Sequence, residues 1–198
     1  MTKITKILIG TNNAGKYEEI CNLLPSEIKK YSPKEFQIKT PEETGKSFEE
    51  NSLIKASYFA KKTNLVCLSD DSGLEINLLK GSPGIYSSRW SGEKNNFILA
   101  IKKIYEEMEK AKKNWSQDNL ARFVCCLTLF WPNGKNYSST GIVEGKISSS
   151  AKGEKGFGYD PIFIPNGYNQ SFGEMDPKLK MSIDHRSLAF RKIKNFFN

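Results

Sequence analysis

Ile7-Leu8-Ile9-Gly10-Thr11-Asn12-Asn13-Ala14-Gly15-Lys16 decides how the rest of this chain is read. Three consecutive apolar residues make a run short enough for a buried strand. A polar turn bounded by Gly10 and Gly15 follows, and residues 17–24 then carry helical periodicity until Pro25 stops it. A strand that enters a helix through such a turn opens an α/β fold. Backbone N–H groups at the start of that helix lack intrahelical acceptors and carry partial positive charge, so an anion is favoured there. Thr11, Asn12 and Asn13 add side-chain donors. Lys16 puts a cation where the helix dipole favours an anion, an arrangement that a bound phosphate would neutralise. Gly10, four residues, Gly15 and Lys16 also begin a Walker A pattern, but Tyr17 stands where that motif needs Ser or Thr to hold Mg²⁺. The loop points to phosphate binding and against a P-loop kinase or ATPase.

Working outward, Ser47 and Glu50 form a capping box that starts a helix over residues 47–63. Residues 65–68 read as a strand ending at Ser69-Asp70-Asp71-Ser72-Gly73, and 74–79 as another strand. Residues 95–113 carry an amphipathic helix. Residues 122–131 and 135–144 form a hairpin turned by Pro132-Asn133-Gly134, 153–165 a glycine-rich loop, and 187–197 a last helix. Strands interleaved with helices plus a long hairpin predict an α/β fold with a mixed sheet, the hairpin region forming a second lobe.

Composition narrows the function. The chain has 198 residues, 38% hydrophobic and 26% charged, which is globular rather than disordered. No stretch approaches the ~20 apolar residues of a membrane helix, and the first residues lack a secretory cleavage site, so a cytoplasmic protein with no membrane partner is expected. The net charge of +8 admits anionic partners without choosing among them. In residues 95–113 lysines alternate with glutamates, the pattern of a solvated helix face. A nucleic-acid-binding role would leave the clustered acids without a task. Cys21, Cys67, Cys125 and Cys126 show no C-x-x-C spacing and the chain has one histidine, which argues against a zinc site. Reduced thiols are expected, with Cys125 and Cys126 on opposite faces of a strand.

Four clusters carry chemistry. Glu42-Glu43 and Asp70-Asp71 are paired carboxylates of the kind a hard cation takes, Mg²⁺ usually using one or two carboxylates together with water and substrate phosphates. Asn51 and Lys55 lie four apart on one helix face, where an amide and an ammonium can meet phosphate. Gly156-Phe157-Gly158-Tyr159-Asp160-Pro161 sets aromatic rings and an acid among glycines, a stacking platform for a base with an acceptor beside it. Lys180, His185 and Arg186 supply donors that suit a purine O6 or a phosphate oxygen.

In this order the segments TNNAGK, PEETGKSFEENSLIKA, SDDSGLEINLLKGSPGIYSSRWSG, ARF, GFGYDPIF and DHRSLAF resemble the inosine/xanthosine triphosphate pyrophosphatase family, also called Ham1-like, across nearly the whole chain. The resemblance implies one domain over residues 1–198, with an elongated mixed sheet and two lobes flanking a central nucleotide-binding cleft. It implies hydrolysis of the deaminated purine nucleotides ITP, dITP and XTP to the monophosphate and pyrophosphate. Mg²⁺ is the implied cofactor and a homodimer the implied assembly. By position it makes Asp71 the proton acceptor and a metal ligand, with Glu42 or Glu43 as its partner. Thr11, Asn12, Asn13, Ala14, Gly15 and Lys16 become the phosphate loop, and Lys55 and Ser72 further substrate contacts. Phe157, Gly158, Tyr159 and Asp160 become the base-binding loop, and Lys180, His185 and Arg186 the remaining contacts. Two positions depart from the family pattern: Asn12 replaces a glycine, and Asp184 replaces the serine before His185-Arg186, adding negative charge beside the histidine.

Overall fold

A computed structural model describes residues 3–93 and 95–197. The opening unit is strand β1 (Lys6–Ile9) followed by helix α1 (Ala14–Leu23). Asn13 caps α1, its Oδ1 accepting from the Lys16 N–H at 3.0 Å. Strand β2 (Lys29–Tyr31) and helix α2 (Phe48–Thr63) follow. Ser47 caps α2 by accepting from the Glu50 N–H, whereas the Glu50 carboxylate reaches the Lys46 N–H, one residue before the cap. Strand β3 (Cys67–Ile76), helix α3 (Phe97–Ala111), strands β4 (Leu120–Phe130), β5 (Asn136–Ile147) and β6 (Phe163–Pro165), and helices α4 (Pro177–Ile183) and α5 (His185–Ile193) complete the order. Among the described residues the strands form one sheet in the order β2-β1-β3-β4-β5-β6, parallel where β1 meets β2 and β3, antiparallel where β5 meets β6. The mixed α/β sheet expected from the sequence is therefore present.

One expectation is corrected. Asp70 and Asp71 do not end a strand, and residues 74–79 are not a separate one. β3 runs from Cys67 to Ile76, so the two aspartates lie inside it. Ser72-Gly73 reads as a turn, but Leu74 and Ile76 are both fully buried with Glu75 between them, and this alternation keeps the chain extended. Residues 77–79 turn off as a short 3-10 segment. The last helix starts at His185, two residues earlier than its pattern indicates, and ends at Ile193. The charged stretch of α3 is a solvated face: Ala100, Ile104 and Met108 are buried, while Lys102 and Glu106 are exposed.

The chain divides into two compact units. The first holds the residues up to Asp71, Cys125–Gly141 and those from His185 onward; the second holds Ser72–Val124 and Ile142–Asp184. In the first unit, strand alternation sorts side chains between two cores. Ile7, Ile9, Leu68, Cys125, Leu127 and Leu129 pack with Ile20 of α1 and Ala189 and Phe190 of α5. Leu8, Cys67 and Phe130 pack with Ala56, Phe59 and Ala60 of α2. Successive residues on a strand point to opposite faces, which explains why neighbours such as Cys67 and Leu68 enter different cores. Cys125 and Cys126 obey the same rule: Cys125 joins the first core, and Cys126 meets Ser52 of α2. The second unit has an aromatic cluster, Phe123, Phe163 and Phe172, with centroids 4.6 and 5.3 Å apart across Phe163. All four cysteines are free thiols; burial pushes Cys67 up to about 12, which keeps it protonated and unreactive. Among the described residues, no helix is long and apolar enough to cross a membrane.

Candidate active site

The alternation that builds the two cores also divides the adjacent aspartates. Asp70 shares the face of Leu68 and meets α1 and α5: its Oδ2 lies 3.0 Å from Lys16 Nζ and 3.2 Å from an Arg186 guanidinium nitrogen. Asp71 shares the face of Cys67 and meets α2: its Oδ1 lies 3.1 Å from Lys55 Nζ. One dipeptide thus serves two electrostatic networks.

Around Asp70 the network is deeply buried. Asp70 has no exposed surface and Arg186 is 1% exposed. Arg186 also pairs with Glu19 of α1. Burial by itself would raise the Asp70 carboxyl, but Lys16, Arg186 and Lys55 outweigh it and hold the group far below the usual carboxylate range. Asp70 is therefore a fixed anion that gathers Lys16 and Arg186. The sequence reading missed this anchoring role. Its signals were a lysine at a helix start and a second aspartate without a task. Arg186, expected as a substrate contact, has its guanidinium engaged by Glu19 and Asp70. His185 begins α5 and is buried.

Around Asp71 the geometry is different. Lys55 bridges two carboxylates, Glu43 Oε1 at 2.6 Å and Asp71 Oδ1 at 3.1 Å. Burial alone would lower Lys55, and Asp71, Glu43 and Asp70 override it and keep the ammonium charged. For Asp71, burial dominates and raises the carboxyl above its usual value, against Lys55 and Lys16. The sequence left Glu42 and Glu43 as equal candidates. The structure brings Glu43 to the Lys55–Asp71 pair and leaves Glu42 exposed. Among the described residues no group of three or more His, Cys, Asp or Glu side chains could hold a metal ion. A cation that keeps waters and substrate oxygens needs only one or two carboxylates. Asp71 Oδ2 is buried without a hydrogen-bond partner among the described residues, and a buried acceptor of this kind calls for a cation or donor. The Asp71–Glu43 pair fits a hard divalent ion.

The phosphate-loop candidates cluster at the β1–α1 turn. Thr11 is buried and its Oγ1 accepts from the Asn13 N–H at 3.2 Å. Asn13 is committed to capping α1, and Asn12 donates to Thr40 Oγ1 at 2.7 Å. Ala14 and Gly15 form the first turn of α1. Ser72 follows Asp71 and is half-buried.

In the second unit, residues 156–160 are folded around Asp160. Its Oδ2 accepts from the Phe157 N–H at 2.8 Å and from Lys180 Nζ at 2.5 Å. Gly156 has φ +72°, and a Cβ there would lie 2.0 Å from that same oxygen. Lys180, in α4, sits 5.1 Å from the Phe157 ring centroid and 5.6 Å from that of Phe172. Tyr159 is buried, donates its hydroxyl to the Ser87 carbonyl at 2.8 Å, and meets Phe97 edge-on at 5.2 Å. Asp160, Lys180 and Tyr159 thus make scaffold contacts. Phe157 and Gly158 stay half-buried at the loop surface.

Comparison with known proteins gives this arrangement its relatives. A model of the Ham1 family matches residues 7–196. The dITP/XTP pyrophosphatase of Caulobacter vibrioides is 40% identical over 189 residues, spanning 96% of this chain and 96% of that protein. The dITP/XTP pyrophosphatase of Christiangramia forsetii is 39% identical over 194 residues, 98% of this chain and 99% of that one. Among solved structures, a HAM1 protein from Coxiella burnetii matches with a TM-score of 0.86 at 37% identity, over 96% of each chain. The Ham1 protein of Staphylococcus aureus matches at 0.83 and 33% identity, over 96% of this chain and 97% of that one. Sequence and fold agree over almost the full length, and the chain belongs to the Ham1 family.

Proposed function

We propose that this protein is a divalent-metal-dependent nucleoside triphosphate pyrophosphatase. It hydrolyses ITP, dITP and XTP to the monophosphate and pyrophosphate and so clears deaminated purines from the nucleotide pool. The observation that carries the reading is the Glu43–Lys55–Asp71 cluster, which sets an ammonium between two carboxylates, Asp71 having a buried oxygen without a partner among the described residues. Relatives about 40% identical over 96–99% of their length are named dITP/XTP pyrophosphatases.

In this reading Asp71 and Glu43 hold Mg²⁺. The ion, when bound, polarises phosphoryl oxygens as a Lewis acid. Lys16 and Lys55 neutralise charge that moves toward the leaving pyrophosphate. The β1–α1 turn offers backbone donors to phosphate oxygens. Asp71 orients a water toward the α-phosphorus and accepts its proton. Phe157 provides the surface on which a base stacks, with Asp160 and Lys180 keeping its loop in shape. His185 offers a donor to a purine keto oxygen; adenine presents an amino donor at that position, and such a mismatch at a polar site discriminates by ~10⁴-fold or more. A homodimer is part of the same reading, checked by sedimentation.

The test is product analysis with ITP, dITP, XTP, ATP and GTP, with and without Mg²⁺. Pyrophosphate and monophosphate from the deaminated nucleotides, only with the metal, are expected. Intact ITP and XTP in magnesium buffer would overturn the assignment, and ADP with inorganic phosphate from ATP would favour a kinase-like or ATPase reading of residues 10–16.

A further inference from the structure

Glu43 lies outside regular secondary structure, between β2 and α2. A carboxylate on an irregular segment is only as well placed as the contacts that fix its backbone. Two residues after Glu43, the Gly45 N–H donates to Asn51 Oδ1 at 2.8 Å. One residue further, the Lys46 N–H donates to Glu50 Oε2 at 2.7 Å. Consecutive residues of the segment are therefore tied to consecutive residues of α2.

The two ties differ in setting. Glu50 is exposed, while Asn51 has no exposed surface. Asn51 is also four residues before Lys55, on the same face of α2. The segment runs very close to it: a Cβ at Gly45 would lie 2.7 Å from Asn51 Oδ1 and 2.7 Å from Glu50 Cβ. Only glycine lets the backbone approach this far. The other end of the Asn51 amide, Nδ2, is buried with no hydrogen-bond partner among the described residues. A position optimised for stability would not keep a buried donor unspent. Asn51 retains a costly group for the sake of its oxygen.

We propose that Asn51 is a positioning residue for the metal-binding carboxylate Glu43. Its Oδ1 holds the Gly45 backbone against α2 and thereby fixes Glu43 beside Lys55 and Asp71. The inference rests on the assignment of Glu43 and Asp71 as metal ligands.

Mn²⁺ binding to the full-length protein without nucleotide, read by electron paramagnetic resonance, tests it apart from turnover. Asn51→Leu removes both polar ends of the amide and keeps the fork at Cγ, with a larger side chain. Its affinity for Mn²⁺ is expected to fall at least fivefold. Asn51→Asp keeps an acceptor for the Gly45 N–H and is expected to bind Mn²⁺ at least as well as the wild type. Gly45→Ala, which pushes the segment off Asn51 without touching α2, is expected to weaken binding in the same direction as Asn51→Leu. Wild-type affinity in Asn51→Leu, or in Gly45→Ala should Asn51→Leu not fold, overturns the proposal. So does an Asn51→Asp variant as weak as Asn51→Leu. Wild-type protein that binds no Mn²⁺ would instead overturn the ligand assignment itself.

Discussion

At the scale of single residues, Asp70 and Asp71 show how one covalent bond can separate two jobs. Because neighbours on a strand face opposite ways, Asp70 anchors Lys16 and Arg186 while Asp71 meets Lys55. Substitutions at the two positions should fail differently. Asp71→Asn keeps size and shape but removes the proposed proton acceptor and metal-binding charge. Turnover of ITP should fall by at least 10²-fold, with a smaller loss of melting temperature than at Asp70 because Lys55 keeps Glu43 and burial already disfavours the charged Asp71, as enzyme assay and calorimetry would show. Asp70→Asn leaves Lys16 and the buried Arg186 short of a counter-charge. Breaking a buried ion pair on one side costs about 3–5 kcal/mol, a fall in Tm of roughly 6–20 °C at ~2–4 °C per kcal/mol. The pH dependence follows from the same group. Asp70 is depressed in the folded protein, so its stabilising contribution is complete above the unfolded carboxylate value of about 3.9. Below that value it is lost progressively as pH falls toward the folded value, because the unfolded chain takes up the proton first. Stability of the wild type should drop through this acid window, and Asp70→Asn should show a shallower drop there. Identical slopes for the two proteins would remove Asp70 from the acid response.

At the scale of elements, the sequence carried what is local. Ile7-Leu8-Ile9 and the helix after it were legible because burial runs and 3.6-residue periodicity are short-range signals. The cap at Ser47 was legible because it spans three residues. The strand through Asp70-Asp71 was not, since Ser72-Gly73 has turn composition and only tertiary packing of Leu74 and Ile76 keeps it extended. β2 has three residues, Lys-Lys-Tyr, with no alternation to read. α4 does not stand out in the sequence although Asp176-Pro177 is a good helix start, Asp176 Oδ1 accepting from the Lys178 and Leu179 N–H groups. The pairing of Arg186 with Asp70, 116 residues away, has no local signature at all. The loop of residues 156–160 was recognised as a unit, but the scaffold contacts of Asp160 were not. These contacts make a prediction. In Gly156→Ala the added Cβ would lie 2.0 Å from Asp160 Oδ2, at a φ of +72°. Both strain and clash act on the oxygen that orients Phe157 and Lys180. KM for ITP should rise severalfold or more while kcat changes less, because the loop is assigned to base binding and not to the reacting phosphorus. A lower kcat with unchanged KM would contradict that division.

At the scale of the whole molecule, the groups that hold the fold are not those proposed to hold the metal. The first unit is held by two apolar cores on the faces of its sheet and the second by an aromatic cluster, none of which needs a cation. A chelator should therefore abolish pyrophosphate release without unfolding the chain, unlike a small domain whose structural metal supplies its folding energy. The Asp71–Glu43 pair should still register the ion. A ligand that binds only the folded state stabilises it by RT ln(1 + [L]/Kd), about 2.7 kcal/mol at a hundredfold excess over Kd. For a chain of this length that corresponds to a rise in Tm of roughly 5–11 °C. Titrating Mg²⁺ into nucleotide-free protein should give a saturable rise in Tm. The rise should be lost in Asp71→Asn and kept in Glu42→Gln, because Glu42 is exposed and stands apart from the Lys55 bridge. Loss of the shift in Glu42→Gln with its retention in Glu43→Gln would reverse the choice between the two glutamates, and the role assigned to Asn51 would fall with it.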